Sequence, residues 1–88
     1  MTADHGRRMI EYIGQELLRR PDTQIDETTP LISSGLIDSL ALVDIVLKLE
    51  ELTNLRIPAG KVQAKDMDTV ALMLATAVRV GKPKRAER

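Results

Sequence analysis

Met9, Ile10, Ile13 and Leu17 recur at three- and four-residue steps, which places them on one face of a helix running from about Ala3 to Arg19. Arg19 and Arg20 suit the C-terminal dipole of that helix, and Pro21 prevents its continuation. From Pro21 to Asp38 the periodicity disappears. Turn and cap residues (Asp22, Thr23, Thr28, Thr29, Pro30, Ser33, Ser34, Gly35) are interspersed with the aliphatics Ile25, Leu31, Ile32, Leu36 and Ile37, the pattern of a long loop pinned by its apolar side chains. Loops this long in small domains are often functional. A second helix is expected from Asp38 or Ser39 to about Asn54, with Asp38 as N-cap and no Gly or Pro inside it. Residues 54–58 break the pattern, and 59–67 offer at most a short helical turn around Val62 and Met67. The last helix begins at Asp68 or Thr69, carries Val70, Leu72, Met73, Leu74, Ala77 and Val78, and ends between Arg79 and Gly81. With no strand pattern, the prediction is an all-α fold, a small three- to four-helix bundle of up-down arrangement with a long loop between helices one and two. Residues 1–80 form the domain, and 81–88 are expected to be a basic, disordered tail.

The second helix has more apolar positions than one buried face needs. At about 100° per residue, Leu42, Ile45, Val46 and Leu49 gather on one side and Leu40, Val43 and Leu47 on the other. The second stripe is therefore inner lining, a seat for the long loop, or an exposed apolar patch. Asp44 and Glu51 flank it on one side, Glu50 and Ser39 on the other.

Composition removes most chemistry from this chain of 88 residues. It has no cysteine, hence no disulfide framework, thiolate metal site or Cys nucleophile. Its one histidine, His5, leaves little for imidazole catalysis or a histidine metal cluster. Tyr12 is the only aromatic side chain, so bases would find nothing to stack on. Apolar runs are far shorter than the ~20 residues of a membrane span, and the N-terminus lacks the basic-then-apolar plan of a signal peptide. The expectation is a cytoplasmic protein that binds neither nucleic acid nor membrane, holds no metal and has no catalytic residues. The formal net charge of +0 is unevenly spread: residues 1–20 carry +1, residues 21–78 carry −5 and residues 79–88 carry +4. Partners steered to the acidic body should be basic.

Gly35-Leu36-Ile37-Asp38-Ser39-Leu40, followed by the acidic second helix and then by Leu55-Arg56-Ile57-Pro58, resembles the acyl and peptidyl carrier protein family. The hallmark of that family is a Gly-x-Asp-Ser-Leu-type motif between a long loop and the second helix. The likeness covers most of the chain, including Thr29-Pro30-Leu31 in the loop and the final apolar helix. Asp-Ser-Leu alone is a common tripeptide; its order and spacing among the other features make the signal specific. The resemblance implies that Ser39 receives 4′-phosphopantetheine from coenzyme A, whose terminal thiol carries the substrate as a thioester, and that Asp38 is part of the recognised motif as well as the cap. It further implies that Asp44, Glu50 and Glu51, with the apolar contacts Leu40, Val43 and Leu47, dock on partner enzymes. Lys48 and the +4 tail depart from the strongly acidic fatty-acid carriers.

The chain is thus expected to be a stand-alone, monomeric carrier without catalysis of its own. Its partners would be a phosphopantetheinyl transferase, a loading ligase or adenylating enzyme, and downstream acyl-processing enzymes. A different class of reading is an unmodified helical adaptor that binds a partner helix through Leu40, Val43 and Leu47. A third, a nucleic-acid or membrane-surface binder acting through Lys82, Lys84, Arg85 and Arg88, is opposed by the shortness of the basic run and the lack of aromatics.

Overall fold

The computed structural model describes residues 3–18 and 24–83. Helix α1 spans Ala3–Tyr12 and is prolonged by one wide π turn, Ile13–Leu17, in which the Leu18 N–H donates to the Ile13 carbonyl at 2.8 Å. The sequence predicts an unbroken helix here. The wider turn lets Leu18 take the angular place that Leu17 would hold in a regular helix, and both side chains pack against the core. Arg19, Arg20 and Pro21, expected to end this helix, lie outside the described residues.

The long loop is ordered by its own polar groups and by α3, the helix Val70–Val80. Asp26 Oδ1 accepts from the Thr28 N–H and from the hydroxyls of Thr28 and Thr29, closing a tight turn. The loop then crosses the start of α3, where the Ala71 N–H donates to the Glu27 carbonyl (2.9 Å) and the Leu31 N–H donates to the Asp68 carbonyl (2.7 Å). Gly35 turns it back with φ at +84°, a conformation that L side chains rarely adopt. Leu31 and Ile37, on either side of that turn, are buried.

A single 3₁₀ turn, Ser39–Ala41, leads into α2, Leu42–Thr53. The helix ends at Asn54, whose N–H still closes on the Glu50 carbonyl at 3.0 Å and whose left-handed φ of 57° turns the chain that follows out of the helix. Two more 3₁₀ turns, Ala59–Lys61 and Ala64–Met67, occupy the stretch in which the sequence suggests one short helical turn. Thr69 caps α3 by accepting from the Leu72 N–H at 3.0 Å.

The three helices each pack on the other two. Their shared core is Met9 and Ile13 from α1, Leu31 and Ile37 from the loop, Ile45 and Leu49 from α2, Ile57 and Met67 from the connection, and Val70, Met73 and Ala77 from α3. The helical-bundle expectation holds, with one addition. Strand β1, Leu55–Arg56, pairs antiparallel with β2, Lys82–Pro83, so that Leu55 faces Pro83 and Arg56 faces Lys82. The segment beginning at Gly81 is therefore not a free tail at its start. Gly81 has no room for a side chain: a Cβ would overlap the Ala77 carbonyl and crowd Leu55. Residues 84–88 lie outside the described residues.

Candidate functional site

Ser39 is exposed at the first position of the 3₁₀ turn that opens the second helical segment. The residue that caps this turn is Asp38. Its backbone is extended, with φ at −100°; its Oδ1 accepts from the Leu40 N–H at 3.0 Å and its carbonyl from the Ala41 N–H at 3.1 Å. The Ser39 carbonyl accepts from the Leu42 N–H, while its hydroxyl makes no hydrogen bond among the described residues. A serine whose neighbour does the capping presents a free Oγ at a helix start, where the positive end of the helix dipole favours an incoming phosphate. An exposed serine hydroxyl on a turn already capped by its neighbour has room and chemistry for a phosphate ester.

The two stripes of α2 separate as their spacing predicts. Ile45 and Leu49 are fully buried and Leu42 and Val46 half-buried, whereas Leu40, Val43 and Leu47 are 83%, 66% and 58% exposed. Of the alternatives for the second stripe, the exposed apolar patch is the one found. Beside it an open groove of about 300 Å³ runs between α2 and the connection that follows, lined by Leu42, Val43, Val46, Leu47, Glu50, Ile57 and Val62. It starts one helical turn beyond Ser39. Ile57 and Val62 escape a sequence reading because they face α2 from a segment without periodicity. Leu36, 44% exposed within the motif segment, adds a further apolar surface.

The carboxylates of α2 are not equivalent. Asp44 is exposed and has no ion pair among the described residues. Glu51 pairs with Lys48 at 3.5 Å, and the Lys48 ammonium also stands 5.3 Å from the centre of the Tyr12 ring. Burial, and after it the nearby charges of Asp44, Glu16 and Glu51, push the Tyr12 hydroxyl pKa up. Lys48, which in the sequence interrupts an acidic face, is thus turned toward α1 and away from the groove. Glu50 is half-buried, and its Oε2 accepts from the Ile57 N–H at 2.7 Å. It is a latch between α2 and the groove's far wall as well as a rim charge.

Behind Ser39, the loop is held by Asp68. Its Oδ1 accepts from the Ile32 and Ser33 N–H groups, both at 2.7 Å, and its Oδ2 accepts from the Ser33 hydroxyl, also at 2.7 Å. These bonds, those from Ser33 foremost, hold the Asp68 carboxyl below the ordinary carboxylate range. Asp68 is legible in sequence only as a candidate helix start. The available signal is that Asp68 and Thr69 are adjacent capping candidates and α3 needs one, which leaves the other for a different bond.

Among the described residues, no helix is long and apolar enough to cross a membrane. No curated protein and no solved structure matches the chain significantly. A family model described as a phosphopantetheine attachment site matches residues 8–76, from the first turns of α1 almost to the end of α3 and across the whole Ser39 region. With that match spanning most of a helical bundle that exposes a free serine hydroxyl at a helix start, the chain belongs to the phosphopantetheine-binding carrier protein family.

Proposed function

We propose that Ser39 is the residue to which 4′-phosphopantetheine is attached, and that the chain presents a thioester-bound acyl or aminoacyl group to partner enzymes without catalysing a reaction itself. The observation that carries this reading is the exposed, unbonded Ser39 hydroxyl beside an Asp38 that already caps the turn. When bound, the prosthetic group supplies a terminal thiol, which a chain without cysteine lacks. The chain's own residues do the rest: Asp38 fixes the turn, and Leu40, Val43 and Leu47 offer an apolar docking strip. Asp44, Glu50 and Glu51 border that strip, with Asp44 the carboxylate free to meet a basic partner. The groove between Val46 and Val62 is a resting place for apolar cargo. The proposed partners are a phosphopantetheinyl transferase, a loading ligase or adenylating enzyme, and the enzymes that consume the thioester, with the carrier acting as a cytoplasmic monomer.

The test is intact mass after incubation with coenzyme A and a broad-range phosphopantetheinyl transferase. Wild type should gain one phosphopantetheine and Ser39→Ala none, with no loss of folding in the variant. An unchanged wild-type mass would favour an unmodified adaptor, and a gain that survives in Ser39→Ala would place the attachment elsewhere.

A further inference from the structure

The loop that delivers Ser39 is clamped by Asp68, which lies between the 3₁₀ turn Ala64–Met67 and α3. Residues 31–33 lay three consecutive amides on Asp68: Leu31 donates to its carbonyl, and Ile32 and Ser33 donate to its Oδ1. The Ser33 hydroxyl completes the set on Oδ2. From there the chain closes on itself, the Gly35 N–H donating to the Ile32 carbonyl at 3.1 Å and the Ile37 N–H to the Leu31 carbonyl at 3.0 Å. Residue 38 follows directly, so the clamp and Ser39 are separated by one closed turn. Thr69, not Asp68, caps α3, so the Asp68 side chain is wholly committed to the loop.

We propose that Asp68 is a positioning residue for transfer of phosphopantetheine to Ser39: by holding residues 31–33 against the start of α3 it fixes where the closed turn presents the serine hydroxyl. The proposal rests on the reading of Ser39 as the attachment point. In the transfer, the Ser39 Oγ–P bond forms as the pyrophosphate P–O bond of coenzyme A breaks, 3′,5′-ADP leaves and the hydroxyl proton passes to a base of the transferase. The serine oxygen must approach phosphorus in line, and misplacement by about 1 Å can cost on the order of 100-fold in rate. Val43 and Leu47 of the docking strip stand on α2, away from the clamp, so loss of the clamp should act on kcat and spare KM. What the clamp needs is an acceptor rather than a charge, because both amides bond the same oxygen. Asn at position 68 keeps that oxygen and can donate its NH₂ to the Ser33 hydroxyl; Ala keeps nothing.

The test measures transfer kinetics with coenzyme A and a broad-range transferase for wild type, Asp68→Ala, Asp68→Asn and Ser33→Ala. Amide hydrogen exchange is followed on the same proteins before modification. Asp68→Ala should lower kcat on the order of tenfold or more with KM changed less than about twofold, Asp68→Asn should recover most of that loss, and Ser33→Ala should fall between. Exchange at Ile32, Ser33 and Ile37 should quicken in Asp68→Ala while the amides of Leu49 and Ala77 keep their protection. Should Asp68→Ala fail to fold, Asp68→Asn and Ser33→Ala carry the same comparison. Wild-type kcat in a folded Asp68→Ala, a loss confined to KM, or unchanged exchange in the loop would each overturn the proposal. A wild type that accepts no phosphopantetheine would overturn the attachment reading and the transfer role with it, whereas the exchange data alone decide whether Asp68 holds the loop.

Discussion

Two aspartates organise the loop that leads to Ser39, and they do so as acceptors. Asp26 gathers the amide of Thr28 and the hydroxyls of Thr28 and Thr29, and Asp68 gathers residues 31–33. In both, hydrogen bonds to the ionised form lower the carboxyl pKa from its ordinary value of 3.8, those of Thr28 first at Asp26 and those of Ser33 first at Asp68. The unfolded chain therefore takes up a proton at a higher pH than the native chain does. Where the unfolded state holds more protons, stability falls as pH falls, so the contribution is complete above about pH 5 and is lost on descending through the lowered native values. Melting temperatures measured from neutral to strongly acidic pH should be flat down to about pH 5 and then decline, and Asp26→Asn should decline less steeply than wild type. Parallel acid limbs for the two proteins would show that the Asp26 turn does not contribute to acid sensitivity. Asp68→Asn should be shallower in the same window, which gives the clamp a signature independent of transfer kinetics.

At the scale of elements, α2 is the segment whose sequence says most. Its two apolar stripes follow from helical spacing alone, and the structure buries Ile45 and Leu49 while exposing Leu40, Val43 and Leu47. Leu49→Ala should therefore cost about 2–5 kcal/mol as a truncation in a filled core. Leu47→Ala should stay within about 0.5 kcal/mol of wild type while weakening productive encounter with the transferase. Denaturant melts and transfer kinetics on the pair check both statements; a Leu47→Ala protein that is as stable and as well modified as wild type would remove Leu47 from the docking strip. The helix starts, the motif and the long loop are legible for the same reason, since caps, turns and 3.6-residue spacing are local signals. What is not legible is pairing over distance. Nothing in Leu55-Arg56 or Lys82-Pro83 marks a strand, because two residues hold no alternation, and their partnership exists only once α3 has brought Lys82 back to β1. Nor does the spacing of Glu50 reveal that its carboxylate will hold the Ile57 amide, a bond that joins a helix to a segment with no pattern.

For the molecule as a whole, the packed helices support the exposed Ser39 hydroxyl and the apolar surface of Leu40, Val43 and Leu47 beside it. The loop is bonded to the first turn of α3, α2 ends in a latch to Ile57, and the segment after α3 returns to lie along β1. The C-terminal end of the described secondary structure is thus tied to its middle, and Gly81 is the hinge that makes that tie possible. Its N–H donates to the Ala77 carbonyl at 2.8 Å, and the absent side chain lets Leu55 approach. This separates two truncations that a purely basic, unpaired tail would make equivalent. A chain ending at Pro83 retains the Leu55–Pro83 and Arg56–Lys82 register and should melt with wild type. A chain ending at Val80 loses both the strand pairing and the Gly81 bond, exposes Leu55, and should melt several degrees lower, since about 1 kcal/mol shifts the midpoint of a domain this size by roughly 4–8 °C. Thermal unfolding of the two truncations at one ionic strength makes the comparison without contribution from the charges beyond residue 83, which neither carries. Equal midpoints would mean that β2 lies against β1 without stabilising it, and that the bundle closes at the end of α3.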